Sequence, residues 1–166
     1  MDKIQVCSNK LIVDTNALKH NINEIRKQLD EGTNIIPVIK ANAYGIGIEK
    51  MLEVVMELGI TIVAVATVDE GIYLRQLGYD GEVFILNQPC ISQIGKIAEY
   101  ELTVGISSML FIDELEKHAS SFNVHLEIGT GMGRTGINPY RCTEVLDKIL
   151  ACKNIKVIRN IYSLFL

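Results

Sequence analysis

Two short segments of the chain gather residue types that can do chemistry. The first is Lys40-Ala41-Asn42-Ala43-Tyr44-Gly45-Ile46-Gly47, which directly follows the apolar run Ile35-Ile36-Pro37-Val38-Ile39. A lysine that closes such a run stands where a buried strand meets solvent. Partial desolvation there favours the neutral amine, a nucleophile for a carbonyl. The plainer reading is that Lys40 only marks the end of the strand. Gly45 and Gly47 permit a tight turn with close backbone approach. Tyr44, four residues beyond the lysine, either offers its hydroxyl to a phosphate or is an ordinary half-buried loop tyrosine.

The second segment is Glu127-Ile128-Gly129-Thr130-Gly131-Met132-Gly133-Arg134-Thr135-Gly136, which follows the strand-like run Val124–Ile128. Four glycines within eight residues carry an entropic cost, which points to close approach by a ligand or by another stretch of backbone. Arg134 adds a planar set of donors suited to an oxygen anion. Residues 131–136 also spell GxGxxG. The dinucleotide fingerprint, however, belongs in the first βαβ unit, with an acidic residue closing the next strand. Here the motif comes late, and the following run, Lys156–Tyr162, ends without Asp or Glu, so a nicotinamide site is disfavoured.

The elements that must position these segments alternate in type. Runs rich in β-branched residues occur at Ile35–Lys40, Thr61–Thr67, Glu82–Asn87, Leu102–Ile106, Val124–Ile128 and Lys156–Tyr162, with a shorter one at Leu11–Asp14. Most are continuous rather than alternating, the pattern of parallel strands covered on both faces. Helical spacing fills the gaps. It appears at Leu18, Ile22, Ile25 and Leu29; at Met51, Leu52, Val55 and Met56 before Gly59; over Asp69–Gly78 and Ser108–Ala119; and after Asn138-Pro139, in a helix carrying Val145, Leu146 and Ile149. The repeat of roughly 20–30 residues per βα unit is that of an α/β barrel of the TIM-barrel type, (β/α)8, here incomplete at about six units of eight. Active sites in such barrels collect at the carboxyl ends of the strands. The chain stops on the apolar run IYSLFL, the ending expected of a partial barrel.

Composition narrows the function classes. The 166 residues are 48% hydrophobic and 22% charged, enough apolar material for a core and not the composition of a disordered chain. Sixteen basic against 20 acidic residues, with no basic cluster, argue against nucleic-acid binding. No stretch approaches the roughly 18 apolar residues of a membrane span, and MDKIQVCSNK has no apolar core of signal-peptide length, so no signal peptide is expected. Cys7, Cys90, Cys142 and Cys152 are scattered, as are His20, His118 and His125, so no metal site is expected. Unpaired thiols point to the cytoplasm.

The segments VIKANAYGIG (38–47) and HLEIGTGMGRTGI (125–137) resemble the two signature segments of the alanine racemase family, the pyridoxal-phosphate enzymes that interconvert L- and D-amino acids. VDTNALKHNINEIR (13–26) and VATVDEGIYLRQLG (65–78) are similar to that family as well, so the likeness runs from about Leu11 onward. The resemblance implies an isomerase acting on alanine or serine. Lys40 matches the lysine that holds pyridoxal 5'-phosphate and serves as one of two opposed bases. Tyr44 matches a tyrosine on the cofactor phosphate, and Arg134 an arginine on the phenolic oxygen of its ring. Met132 matches a methionine whose backbone lies near the substrate carboxylate. The chemistry implied is removal of a proton from Cα and its return on the other face.

Three residues depart from the family pattern. Glu127 stands where many members have a carbamylated lysine, and its own charge suggests a Glu127–Arg134 pair. Ile46 replaces a common histidine. Leu164 falls where a histidine usually packs on the cofactor ring. The resemblance also implies that residues 1–166 form a partial N-terminal barrel domain without the later strands or the C-terminal β-domain, which brings the second base across a homodimer interface. The alternative is a barrel fragment without catalysis, which binds pyridoxal phosphate or depends on a partner chain.

Overall fold

A computed structural model describes residues 11–163, so Leu164 lies outside the described residues. These fall into two compact units, divided between Asn34 and Ile35. In the first unit, α1 (Thr15–Arg26) begins at Asp14, whose carboxylate accepts from the amides of Asn16 and Ala17 at 2.9 and 3.1 Å. This satisfies donors that the first turn leaves unpaired. The strand expected at Leu11–Asp14 is absent. Asp14 serves as the cap, and Leu11 and Ile12 are 77% and 87% exposed, with no ladder partner.

The second unit alternates helices and strands: α2 (Lys40–Tyr44), α3 (Ile48–Glu57), β1 (Ile62–Val65), α4 (Val68–Gln76), β2 (Glu82–Ile85), α5 (Ile94–Glu99), β3 (Thr103–Ile106), α6 (Met109–Glu116), β4 (Phe122–Gly129), α7 (Cys142–Ala151) and β5 (Ile155–Ser163). All five strands are parallel, in the order β1-β2-β3-β4-β5. Each strand therefore lies beside its successor, and a helix makes each return. The run Ile35–Lys40 gives one bridge, Val38 to Ala64, rather than a full strand. Pro37 has no N–H to offer the ladder, so only its carbonyl takes part, accepting from Ala64 N at 2.9 Å. α5 was not evident from periodicity, although Ile94 and Ile97, both buried, stand at helical spacing.

β1 and β3 are buried at every position, as strands covered on both faces must be. On the outer face, α4 comes close at Gly71, where a Cβ would stand 3.0 Å from Ile85 and 3.2 Å from Leu102. Ile85 thus meets the helix, and Phe84 and Glu82 take alternate positions on β2. The inner face is polar in places. Glu82 pairs with His125 at 2.8 Å and with Arg159 at 2.6 Å, and the His125 ring lies 4.5 Å from that of Phe84. His125 has no solvent exposure. Burial pushes its pKa below the usual histidine value, with Glu82 opposing that shift and Arg159 adding to it.

The amino-terminal rim of the sheet is stapled by side chains. Arg75, in the last turn of α4, donates to the carbonyls of Tyr100, Tyr79, Gly81 and Glu101 at 3.0, 2.8, 2.7 and 3.1 Å. Asn154 Nδ2 donates to the carbonyls of Leu115, His118 and Ser120, ahead of β4.

Candidate active site

Lys40 stands at the carboxyl end of the extended segment beside β1, half-buried, with no hydrogen-bond or ion-pair partner among the described residues. Ile39 N donates to Ala64 O at 2.8 Å and closes that segment. The single turn α2 then winds left-handed. Ala41, Asn42, Ala43 and Tyr44 have φ of 51°, 54°, 51° and 54°. For residues other than glycine this hand costs about 1–2 kcal/mol each, least for asparagine, and it persists only where neighbours hold it.

Several bonds hold the turn. Asn42 O accepts from the amides of Gly45 and Gly47 at 3.0 and 3.1 Å, and its side-chain oxygen accepts from Ile48 N at 2.9 Å, opening α3. Ala43 is buried, while Ala41 N donates to the Glu70 carboxylate at 2.7 Å. Tyr44 leaves the turn 66% exposed, its hydroxyl unpaired among the described residues.

The glycine segment leaves the carboxyl end of β4 and folds back on it. Ile137 N donates to Glu127 O at 2.7 Å, and Gly129 N to Ile137 O at 2.9 Å. Gly136 makes this return possible. Its φ is 104°, and a Cβ would stand 2.6 Å from Gly129 N. The loop lines a cavity of about 400 Å³ whose wall includes Gly131, Gly133, Arg134, Thr135 and Asn138. Arg134 is exposed, without a partner among the described residues, and Met132 is exposed beside it. The Glu127 carboxylate accepts from the Thr135 hydroxyl rather than pairing with Arg134. Gly105 on β3 lies beside it, where an added Cβ would stand in ordinary contact, 3.5 Å from Glu127 Oε2.

Lys40, Tyr44, Met132 and Arg134 therefore all emerge at the carboxyl rim of one parallel sheet, where an amine, a phenol and a guanidinium stand unpaired among the described residues. The profile of the family described as "Alanine racemase, N-terminal domain" matches residues 13–165. The chain belongs to that family. It is 35% identical over 158 residues to an amino-acid racemase of Enterococcus faecalis, covering 91% of this chain and 21% of that protein. A serine/alanine racemase of Enterococcus gallinarum is 34% identical over 149 residues, covering 89% and 21%. Among solved structures, alanine racemase from E. faecalis superimposes with a TM-score of 0.87 at 26% identity, over 92% of this chain and 43% of that one. The alternating strands and helices are those of the family's N-terminal barrel domain, and the chain spans between about a fifth and two fifths of the length of these proteins.

Sequence reasoning did not single out Glu70, which joins the Lys40 turn to α4. Thr67-Val68-Asp69-Glu70 carries the signature of a capping box, and both of its bonds form. The long-range bond to Ala41 left no mark in the sequence. The Glu82–His125–Arg159 cluster was also missed; its signal was three ionisable residues within or at the end of apolar runs.

Proposed function

We propose that this chain provides the pyridoxal-phosphate side of an amino-acid racemase. The observation that carries the reading is the unpaired Lys40 amine, held on a left-handed turn at the same rim as the unpaired Arg134 and Tyr44. This donor set fits the cofactor: an amine for its aldehyde, a guanidinium for its phenolic oxygen and a hydroxyl for its phosphate. When bound, the cofactor supplies a sink for the electron pair left at Cα. Lys40 Nζ takes up the Cα proton on one face of an amino acid and returns one there in the opposite direction. Arg134 would hold the cofactor through its phenolic oxygen and Tyr44 through its phosphate, and the Met132 backbone would receive the substrate carboxylate. Glu127 and Thr135 brace the return of the glycine loop. Similarity to a serine/alanine racemase favours a small side chain on the substrate.

The second base is assigned to residues outside 1–166, so turnover by this chain depends on a contribution from another segment or subunit. A barrel that binds pyridoxal phosphate without turning over is the second reading, favoured by the limited share of the relatives that the chain spans. The test is to incubate the chain with pyridoxal phosphate, reduce with borohydride and map the labelled peptides. Labelling concentrated at Lys40 and lost in Lys40→Ala is expected. Labelling spread evenly over surface lysines, and unchanged in Lys40→Ala, overturns the proposal. Racemisation by the purified 1–166 chain alone overturns the assignment of the second base.

A further inference from the structure

We infer that Glu70 is a positioning residue for Lys40, acting through the amide of Ala41; this deepens the function proposed above and rests on Lys40 being the reacting amine. One oxygen of the Glu70 carboxylate accepts from Ala41 N at 2.7 Å. The other accepts from Ala66 N at 2.8 Å and Thr67 N at 3.2 Å. A single side chain thus clasps two turns, the one that carries Lys40 and the one that joins β1 to α4.

The Ala41 N–H belongs to the peptide plane whose other half is the carbonyl of Lys40. Fixing that plane fixes the backbone torsion at Lys40, and with it the direction in which the lysine side chain leaves the chain. The acceptor is a carboxylate, so the bond is charge-assisted. It acts at the first of four consecutive residues with positive φ, where the turn has most need of an external hold. The Glu70 backbone is fixed by its place in the first turn of α4. Among the described residues its carboxylate bonds only backbone amides, and the Thr67 side chain takes no part in those bonds. The Thr67 hydroxyl accepts separately, from Glu70 N at 3.2 Å. The same helix also holds the far side of the loop: the Tyr73 hydroxyl bonds the Glu49 carboxylate in the first turn of α3. α4 therefore braces the Lys40 loop at both ends, and Glu70 is the brace nearest the amine.

The variant Glu70→Gln keeps the shape but leaves one accepting oxygen, so the two turns can no longer both be held. Thr67→Ala is the comparison, because it removes the cap and spares the carboxylate. Two readouts separate positioning from stability. The first is the NMR resonance of Lys40 after reductive ¹³C-methylation, assigned with Lys40→Arg. The second is capture of pyridoxal phosphate at Lys40 by borohydride. Glu70→Gln is expected to move the Lys40 resonance and to lower capture at least about tenfold, equivalent to ~1.4 kcal/mol. Thr67→Ala, at a similar melting temperature, is expected to leave both unchanged.

The inference is overturned if Glu70→Gln changes neither readout, or if Thr67→Ala changes both to the same extent. Absence of capture at Lys40 in the unmodified chain instead sinks the proposed function, and the Lys40 resonance alone then decides the role of Glu70. Should Glu70→Gln not fold, hydrogen exchange of the unmodified chain decides. An Ala41 amide at least about tenfold slower than an unstructured amide supports the clasp, and an unprotected one overturns it.

Discussion

Substituting alanine at Gly136 and at Gly95 should change stability in opposite directions, although the two changes are identical in composition. At Gly136 the new Cβ meets backbone: Gly129 N at 2.6 Å, Ile128 C at 2.9 Å and Gly129 Cα at 3.0 Å. None of these can rotate aside as a side chain would. The φ of 104° adds a strained conformation costing about 1–3 kcal/mol, and displacing packed backbone adds about 1–3 kcal/mol. The sum is a loss of about 2–6 kcal/mol, or a melting temperature lower by roughly 4–24 °C for a chain of this size. At Gly95, within α5, nothing lies within 4 Å of the added Cβ. Helix propensity alone then acts and gains up to about 1 kcal/mol. Calorimetry of both variants, with amide exchange at Gly129 and Ile137, provides the assay. A Gly136→Ala chain that melts with the parent and keeps both amides protected refutes the close-approach argument, whatever happens at Gly95.

Two further outcomes are expected. Arg75→Met strands four backbone carbonyls and should lower stability by about 2–4 kcal/mol in urea, whereas Arg75→Lys restores only part because an ammonium cannot span all four; a lysine variant equal to the parent speaks against the staple. His125 has its folded pKa depressed by burial, so near pH 6.5 and below the unfolded chain binds the extra proton, and stability should fall as the pH drops through that value, by at most about 1.4 kcal/mol per pH unit. Urea midpoints at pH 7.5 and 5.5 check this. His125→Gln should flatten the slope, and a parent chain that gains stability on acidification contradicts it.

How much of this was legible in the sequence depended on the range of the forces involved. β1 and β3 announced themselves because strands buried on both faces are nearly continuous apolar runs, whereas β5, with Lys156, Arg159 and Asn160, showed itself only by its β-branched residues. Lys40 was legible as the polar stop on Ile35–Ile39, and the glycine density of 129–136 signalled the close return later found at Gly136. The hand of the Lys40 turn was hidden. Alanine and tyrosine disfavour positive φ, so Ala41, Ala43 and Tyr44 carry no local signal for the conformation they adopt; Asn42 and the glycines at 45 and 47 give only a hint. The Glu127 partner could not be read from spacing either, because folding the loop back brings Thr135, rather than Arg134, to the carboxylate. Leu11–Asp14 is strand-like by composition, yet it has no ladder partner among the described residues, and Asp14 caps α1.

The staples of Arg75 and Asn154 all lie at the amino-terminal rim, and the amine, phenol and guanidinium that stand unpaired among the described residues all lie at the opposite one. Under the proposed function, folding and chemistry are thereby drawn from separate sets of side chains. A saturation library should separate by geography: abundance-lowering changes cluster around residues 75, 79–81, 100–101 and 154, while changes at 40, 44 and 134 pass unnoticed by any selection for expression. Such a scaffold can try new substrates at one end without renegotiating its survival at the other.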